Sequence, residues 1–197
     1  MLWYATRATG LMAMMLFSGV TLLGILTAGG LRSKRIPHAA VALIHRNISL
    51  LSVMFLAVHI GTTVADNYVN VNLSDVFVPF FSAYRPIWVG LGSIAVDLML
   101  AILVTSLLRR RIPREIWRAI HWLAYGSWGI VLAHSITIGT DALATRTIAV
   151  ISLASVAAAL VFRFWNGLYP EFNSHLMPIR AATVPVPPPN GRNKVSP

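Results

Sequence analysis

The stretch HRNISLLSVMFLAVH runs from His45 to His59, and the stretch HWLAYGSWGIVLAH runs from His121 to His134. Between its histidines the first stretch contains one charged residue, Arg46, and the second contains none. With their flanks, both are long enough for a helix that crosses a bilayer, which needs about 20 mostly apolar residues. An ionisable side chain inside such a helix is expensive to bury and usually marks a functional site. The two stretches therefore predict membrane helices that each carry two functional imidazoles.

The composition agrees with a membrane protein. Of the 197 residues, 56% are hydrophobic and 11% are charged, whereas an average soluble domain has about 25% charged residues. This excludes an ordinary soluble globule and a disordered chain. The net charge of +10 does not indicate nucleic-acid binding, because the basic residues form short clusters between uncharged runs, as in cytoplasmic loops. Cysteine is absent, which excludes disulfides and thiolate metal sites.

The uncharged runs predict an all-α, multi-pass protein of the cell membrane with a bundle of five transmembrane helices. The spans cover about residues 8–31, 39–64, 86–108, 115–139 and 145–165. Basic residues follow the first, third and fifth spans: Arg32, Lys34, Arg35, then Arg109, Arg110, Arg111, Arg114, then Arg163, Arg180, Arg192 and Lys194. Since basic residues accumulate on the cytoplasmic side, we expect the N-terminus outside and the C-terminus in the cytoplasm. Residues 1–168 are expected to form the transmembrane domain, and residues 169–197 a Pro-rich mobile cytoplasmic tail.

The spacing of the four histidines suggests how they pair. His45 and His59 are 14 residues apart and His121 and His134 are 13 apart, which is roughly 20 Å along a helix axis in both cases. The second and fourth spans run parallel, so His45 is level with His121 and His59 with His134. Two facing imidazoles suit axial ligation of a planar haem better than zinc, which takes three or four protein ligands. The alternative is that each histidine is only packed and hydrogen-bonded.

The angular positions on the fourth span fit this pairing less well. At 100° per residue, 13 residues fall 140° short of four turns, so an ideal helix would splay His121 and His134. Gly126 and Gly129 lie between them. We expect a local tightening or distortion at these glycines that restores a common face.

These residues carry a resemblance to a known family. The chain resembles the ferric reductase-like transmembrane domain, the dihaem core of ferric reductases and NADPH oxidases, over about residues 8–165. Besides the two histidine spacings, the segments HRN at residues 45–47 and RAIHW at residues 118–122 fit the family. The chain resembles the stand-alone bacterial members, which have no flavin or nicotinamide domain and work with separate redox partners.

The resemblance implies two b-type haems. His45 and His121 would ligate the inner haem, on the cytoplasmic side, and His59 and His134 the outer haem. The implied activity is electron transfer across the membrane, from a cytoplasmic-side donor such as a flavoprotein or quinol to an extracytoplasmic acceptor. No catalytic residue is assigned, and the protein would be an oxidoreductase component embedded in membrane lipid.

Three arginines are candidates for the anionic propionates of the haems. Arg46, beside His45, and Arg118, one turn before His121, are placed for the inner haem, although both also satisfy the positive-inside rule. Arg85, at the outer mouth of the third span, is placed for the outer haem.

Three further features each have two interpretations. Asp97, near the middle of the third span, is expected to be a buried hydrogen-bonding anchor, with proton handling as the alternative. His38 competes with His45 as the inner ligand, but its place at the basic loop favours solvation. The aromatic connection from Asp66 to Tyr84 is an interfacial anchor or a lid over the outer site.

Two rival functions stay open from sequence alone. One is a haem-bearing membrane anchor subunit of a larger reductase. The other is a small multi-pass transporter or structural membrane protein without haem, in which the histidines bind a metal ion or only pack.

Overall fold

The computed structural model describes residues 2–28, 37–66 and 69–168, and within these residues the chain is all-α. Five long helices and one short helix follow one another. They are α1 Leu2–Ala28, α2 His38–Ala65, α3 Leu73–Phe77, α4 Pro86–Leu107, α5 Arg114–Ile138 and α6 Ala142–Leu168.

Four of the helices are long and apolar enough to cross a membrane. They cover Leu2–Ala28, Ala39–Ala65, Pro86–Leu107 and Ala142–Trp165. The chain is therefore a membrane protein, and four of the five predicted spans are found. The remaining predicted span, at residues 115–139, corresponds to α5. This helix has 25 residues, but its histidines and its Trp, Tyr, Gly and Ser residues lower its mean hydropathy.

Prolines mark where three of the long helices begin. Pro37 and Pro113 immediately precede α2 and α5, and Pro86 is the first residue of α4. Proline suits a helix start because the amide hydrogen it lacks would have no partner there. The helix bounds lie close to the predicted spans, except that α1 begins before residue 8 and therefore includes Arg7.

Helix α1 lies at the centre of the bundle. It packs against α2, α5 and α6, while α4 packs against α5 and α3. Trp128 Nε1 of α5 donates a hydrogen bond to Ser18 Oγ of α1 at 3.0 Å. The buried core combines residues of α1, α5 and α6: Met14, Phe17, Ile25, Trp128, Leu132, Ala149, Val156 and Ala159. Among the described residues, α2 and α5 are not in extensive contact, so the two histidine-bearing helices are held apart.

Two local expectations are wrong. Helix α5 continues as an unbroken α-helix through Gly126 and Gly129, so no local change of helix type brings its histidines onto one face. Asp97 is exposed rather than a buried anchor, because its neighbours Val96 and Met99 line an internal cavity and turn its carboxylate to the outside of the bundle.

The connection between α2 and α4 has two different surfaces. Its aliphatic side, with Val71 and Val76, is buried and lines the cavity. Its aromatic side, with Phe77, Phe80 and Phe81, is at least half exposed. The segment therefore covers one end of the cavity and exposes aromatic rings, and its place at the membrane interface stays a prediction.

Some of the predictions fall on other parts of the chain. The tail at residues 169–197, the basic residues between α1 and α2, and the side chain of His38 lie outside the described residues.

Candidate functional site

His59 of α2 and His134 of α5 line one cavity of about 270 Å³. Residues of α1, α2, α4 and α5 surround it, and most of them are apolar, such as Leu56, Val96 and Val131. A concave, mainly apolar cavity with few polar groups is typical of cofactor sites. The structure thus brings together two of the four predicted ligands, from helices that are separate in sequence.

Both of these histidines are oriented by backbone carbonyls. His59 Nδ1 lies 2.8 Å from the Thr6 carbonyl oxygen of α1, and His134 Nδ1 lies 2.8 Å from the Trp88 carbonyl oxygen of α4. A carbonyl oxygen only accepts, so each Nδ1 carries the hydrogen and donates it. Each Nε2 then keeps its lone pair, which is the state of a metal-binding imidazole whose other nitrogen is fixed by a second hydrogen bond.

Two glycines make room for these rings. A Cβ atom at Gly10 would lie 2.9 Å from His59 Cε1 and Nδ1, and a Cβ atom at Gly92 would lie 2.7 Å from His134 Cε1. Distances under 3.0 Å are too short for such contacts. Any larger residue at either position would therefore displace the imidazole.

His45 and His121 form the second pair. Their ring centroids are 6.3 Å apart and their planes are inclined by 58°. Metal–imidazole nitrogen bonds of about 2.0–2.1 Å would place each ring centre about 3.2 Å from a shared metal, and the two centres about 6.4 Å apart. The observed separation therefore suits one metal ion held between the two rings. Because His45 faces His121 while His59 and His134 share a cavity, α2 and α5 run parallel.

The second pair has different neighbours from the first. The Trp117 ring stacks on His121, with centroids 4.9 Å apart and planes inclined by 21°. The Arg109 guanidinium lies 4.7 Å from the centroid of the same Trp117 ring. His121 Nδ1 is buried without a hydrogen-bond partner among the described residues. Gly24 approaches His45 less closely, with a Cβ position 3.7 Å from His45 Cε1.

The donor set fits haem and not a structural zinc site. Among the described residues there is no group of three or more His, Cys, Asp or Glu side chains that could hold a metal ion, whereas zinc takes three or four protein ligands. Two imidazoles from separate helices, set in apolar surroundings, are the ligands that a bis-histidine haem requires, and His59 and His134 line such a cavity together. The buried Nδ1 of His121, which has no partner among the described residues, is the one polar atom of this donor set that the protein leaves unsatisfied.

The three arginines predicted to bind haem propionates differ in where the structure places them. Arg46 and Arg118 are exposed, and their link to the His45/His121 pair rests on their positions in α2 and α5. Arg85 Nη1 donates to the Thr137 carbonyl oxygen near the C-terminus of α5 at 3.0 Å, and Arg85 does not line the cavity. Among the described residues, the basic side chain that does so is Arg7, which the sequence analysis placed outside the first span.

A spacing in the sequence points to the glycines that lie beside His59 and His45. Gly10 and Gly24 of α1 are 14 residues apart, the same spacing as His45 and His59 of α2. Since Gly10 meets His59 and Gly24 meets His45, α1 and α2 are antiparallel and the two spacings match. Two glycines with the spacing of His45 and His59, on the span before these histidines, would have identified Gly10 and Gly24 as their neighbours.

One of three comparisons with known proteins gives a match. A family model described as "Ferric reductase like transmembrane component" matches residues 9–133, which is more than half of the chain. No flavin- or nicotinamide-binding domain is detected. No curated protein and no solved structure gives a significant match.

Proposed function

The chain belongs to the ferric reductase-like transmembrane family, and from this membership we propose that it is a dihaem membrane cytochrome that carries single electrons across the bilayer. His45 and His121 would hold one b-type haem and His59 and His134 the other. The observation that carries this proposal is the arrangement of four imidazoles in two pairs. The rings of one pair are 6.3 Å apart, and those of the other line one cavity and have carbonyl-anchored Nδ1 atoms.

Different residues of the chain would have different roles in this function. The Thr6 and Trp88 carbonyls hold the His59 and His134 rings in fixed tautomers, so each Nε2 keeps its lone pair for the metal. The apolar residues of the cavity exclude water and thereby affect the reduction potential. Haem, when bound, supplies a one-electron iron couple. Two imidazoles per iron leave no open coordination position, so the acceptor would be reduced without binding to the metal.

The direction of transfer rests on the topology that we propose. Helix α5 would be the fourth of five spans, despite its lower hydropathy, because it lies within the bundle against α1, α4 and α6. Exposed Arg109, Arg110 and Arg111 connect α4 to α5, and the positive-inside rule puts them in the cytoplasm. The N-terminus is then outside and the C-terminus inside. The His45/His121 pair lies on the cytoplasmic side, and residues 1–168 form the haem-binding domain.

Separate partners would supply and remove the electrons. A flavoprotein or quinol would be the donor on the cytoplasmic side, and ferric iron, oxygen or an exported protein the acceptor. The exposed arginines between α4 and α5 favour a donor with an acidic docking surface, since complementary charge speeds encounter.

The first test is spectroscopic. Detergent-purified protein, oxidised and then reduced with dithionite, is expected to give the absorption bands of low-spin b-type haem. The pyridine haemochrome method is expected to count two haems per chain. Folded protein that lacks haem, although produced with an adequate haem supply, would refute the proposal and favour a transporter or structural role.

The second test measures transfer across a bilayer. The protein is reconstituted in vesicles that enclose ferricyanide, and a membrane-impermeant reductant is added outside. We expect ferricyanide to be reduced by vesicles with wild-type protein, and to stay oxidised in empty vesicles and in vesicles with His59→Ala or His45→Ala protein. His38→Ala is the matched control and should behave as wild type. Equal rates in vesicles with and without the protein would refute electron transfer across the bilayer.

A further inference from the structure

Asp97 is a carboxylate on the outside of a membrane helix. It lies in the middle of the 22-residue helix α4, which is a candidate membrane span, and its side chain is exposed at the surface of the bundle. None of the described residues forms a hydrogen bond or an ion pair with its carboxylate. An ionisable side chain in the hydrocarbon region is costly unless it is paired. Asp97 is therefore expected to have a partner outside the described part of its own chain.

Arg163 is a cation in a comparable position on α6. It lies within a candidate membrane span and is partly buried. Its Nη1 lies 3.4 Å from the Tyr125 hydroxyl, and its Cζ lies 5.4 Å from the centroid of the Trp122 ring. Neither contact supplies a counter-ion. Arg7 of α1, by contrast, forms an ion pair with Asp141.

The charges of Asp97 and Arg163 lie at similar depths in the bundle. Helices α4 and α5 are antiparallel, and Ser127 Oγ of α5 lies 3.4 Å from the Ala95 carbonyl oxygen of α4. Two residues onward along α4 and two residues back along α5 lead to Asp97 and Tyr125, which are therefore level. Since Tyr125 contacts Arg163, the carboxylate and the guanidinium differ in depth by no more than about one helix turn.

The two charges are separated within one chain but can meet between two copies. Helix α5 packs against both α4 and α6, and among the described residues α4 and α6 are not in extensive contact. Copies inserted in the same orientation are related by rotation about the membrane normal, as in cyclic oligomers, so groups at equal depth face each other. A two-fold axis would bring Asp97 of each copy to Arg163 of the other.

The surface between the two charges allows another helix to approach closely. Helix α5 contacts α6 through Tyr125, α1 through Trp128 and α4 through Ser127, which leaves Gly126 exposed between α4 and α6. A Cβ atom at Gly126 would have nothing within 4 Å. Interfaces between membrane helices are enriched in small residues for this reason.

We propose that the protein associates with a second copy of itself in the membrane, through ion pairs between Asp97 of each copy and Arg163 of the other. The interface is the outer surface of α4, α5 and α6. Charge complementarity favours a second copy over lipid, because a lipid phosphate would pair with Arg163 and leave Asp97 unpaired. The proposal goes beyond electron transfer and does not depend on haem, since neither residue lines the cavity.

The absence of cysteine from the chain makes self-association measurable with site-specific dyes. Ala144→Cys, on the exposed first turn of α6, provides one labelling site for donor or acceptor dye. Energy transfer between labelled copies is measured in phosphatidylcholine vesicles over a range of protein-to-lipid ratios. This gives a dissociation constant for the wild-type sequence and for each variant.

We expect the wild-type sequence to associate, and Asp97→Leu and Arg163→Leu each to raise the dissociation constant about tenfold, because each removes interhelical polar contacts at two places. The double variant Asp97→Leu/Arg163→Leu should associate no more weakly than either single variant. Both substitutions remove the same ion pairs, so their effects are not additive.

Arg146→Leu is the matched control, because Arg146 is an exposed arginine at the other end of α6. It should associate as the wild-type sequence does. Asp97→Leu places an apolar side chain on a lipid-facing surface and should keep the wild-type helical content and haem content. If Arg163→Leu does not insert, Arg163→Lys decides: it keeps the charge and should associate as wild type, while Asp97→Leu does not.

Three results would overturn the inference. The first is a wild-type sequence that shows no energy transfer at any protein-to-lipid ratio. The second is unchanged association in both single variants, which would place the contact elsewhere. The third is a double variant whose loss equals the product of the two single losses, which would mean that the residues act separately. Haem is counted in the same samples, so protein that associates but lacks haem would refute only the proposed function.

Discussion

His59 and His134 each donate a hydrogen bond from Nδ1 to a backbone carbonyl at 2.8 Å, whereas Nδ1 of His121 is buried without a partner among the described residues. A Cβ atom at Gly10 or Gly92 would lie 2.7–2.9 Å from these two rings, so each ring fits only beside a glycine. His121 is supported instead by the stacked ring of Trp117. The two pairs therefore differ in what supports their rings.

This difference has a chemical consequence. An imidazole that donates to a carbonyl is more basic and a stronger ligand, which stabilises oxidised iron and lowers its reduction potential. If the two pairs hold haem as proposed, this effect alone would give the haem of His59 and His134 the lower potential and the haem of His45 and His121 the higher one.

The largest expected effect comes from filling the space beside an anchored ring. Gly92→Ala would place a Cβ atom 2.7 Å from His134 Cε1, so the ring must move and the haem of that pair should be lost. We expect the count to fall from two haems to about one per chain. Gly24→Ala, whose Cβ would lie 3.7 Å from His45, should keep both haems.

Gly126→Ala controls for the substitution itself. A Cβ there has nothing within 4 Å, and alanine is the better helix former by about 0.5–1 kcal/mol. Full haem content in Gly92→Ala, or equal losses in all three glycine variants, would contradict the difference between the two sites.

The next effect is a separation of the two midpoint potentials. We expect wild-type protein to titrate in two resolved steps. His121→Ala should abolish the higher step and His134→Ala the lower step, because the carbonyl-anchored imidazoles lie at the His59/His134 pair. A single unresolved step, or loss of the lower step in His121→Ala and of the higher step in His134→Ala, would show that the Nδ1 hydrogen bonds do not set the order of the two midpoint potentials.

A smaller effect is expected when the Trp117 ring that stacks on His121 is removed. Trp117→Leu removes the ring that lies between Arg109 and His121, and a cation–π contact is worth about 0.5–1 kcal/mol at an exposed site. The haem of the His45/His121 pair should be retained about two- to fivefold less tightly in a competition assay with apomyoglobin, while the other haem is unaffected.

Trp122→Leu is the matched control for that variant. Trp122 is next to His121 in sequence but is 55% exposed, and its neighbours are Tyr125 and Arg163. Loss of haem from the His59/His134 pair in Trp117→Leu would mean that the two sites are not supported independently.

The smallest expected effect is on the core that joins the two sites. Ser18→Ala removes the acceptor of the Trp128 Nε1 hydrogen bond, and such bonds in membrane bundles contribute about 0.6 kcal/mol on average. The thermal midpoint should fall slightly and the haem count should stay unchanged. Ser155→Ala, which loses only a bond to the Ile151 carbonyl of its own helix, should match wild type. A loss of haem in Ser18→Ala would assign Ser18 a role at the cofactor.

Much of the fold could be predicted because bilayer thickness constrains the length of apolar runs. The bounds of α2, α4 and α6 lie near the predicted ends. Helix α5 also forms at the predicted residues, although its histidines and aromatic residues make it more polar than the others and it is not among the four candidate spans. The short α3 was missed, since five residues give no clear periodicity and its position depends on contacts with α4.

The pairing of the histidines could also be predicted, because axial rise depends only on spacing. The contacts that hold the four imidazole rings in place could not be predicted. A charge usually ends an apolar run, so the sequence predicts a first span that begins after Arg7, but Trp3 and Asp141 accommodate Arg7 inside α1. The distortion expected at Gly126 and Gly129 came from treating a helix in isolation. In the bundle, His121 and His134 instead contact different neighbours, Trp117 and the Trp88 carbonyl.

The most direct test of the central claim is to count haem per chain in wild-type protein and in two double variants, His45→Ala/His121→Ala and His59→Ala/His134→Ala, each checked for helical content and a single size-exclusion peak. The account predicts about two haems in wild type and about one in each double variant. Wild-type protein without haem, or a double variant that still holds two, would contradict it.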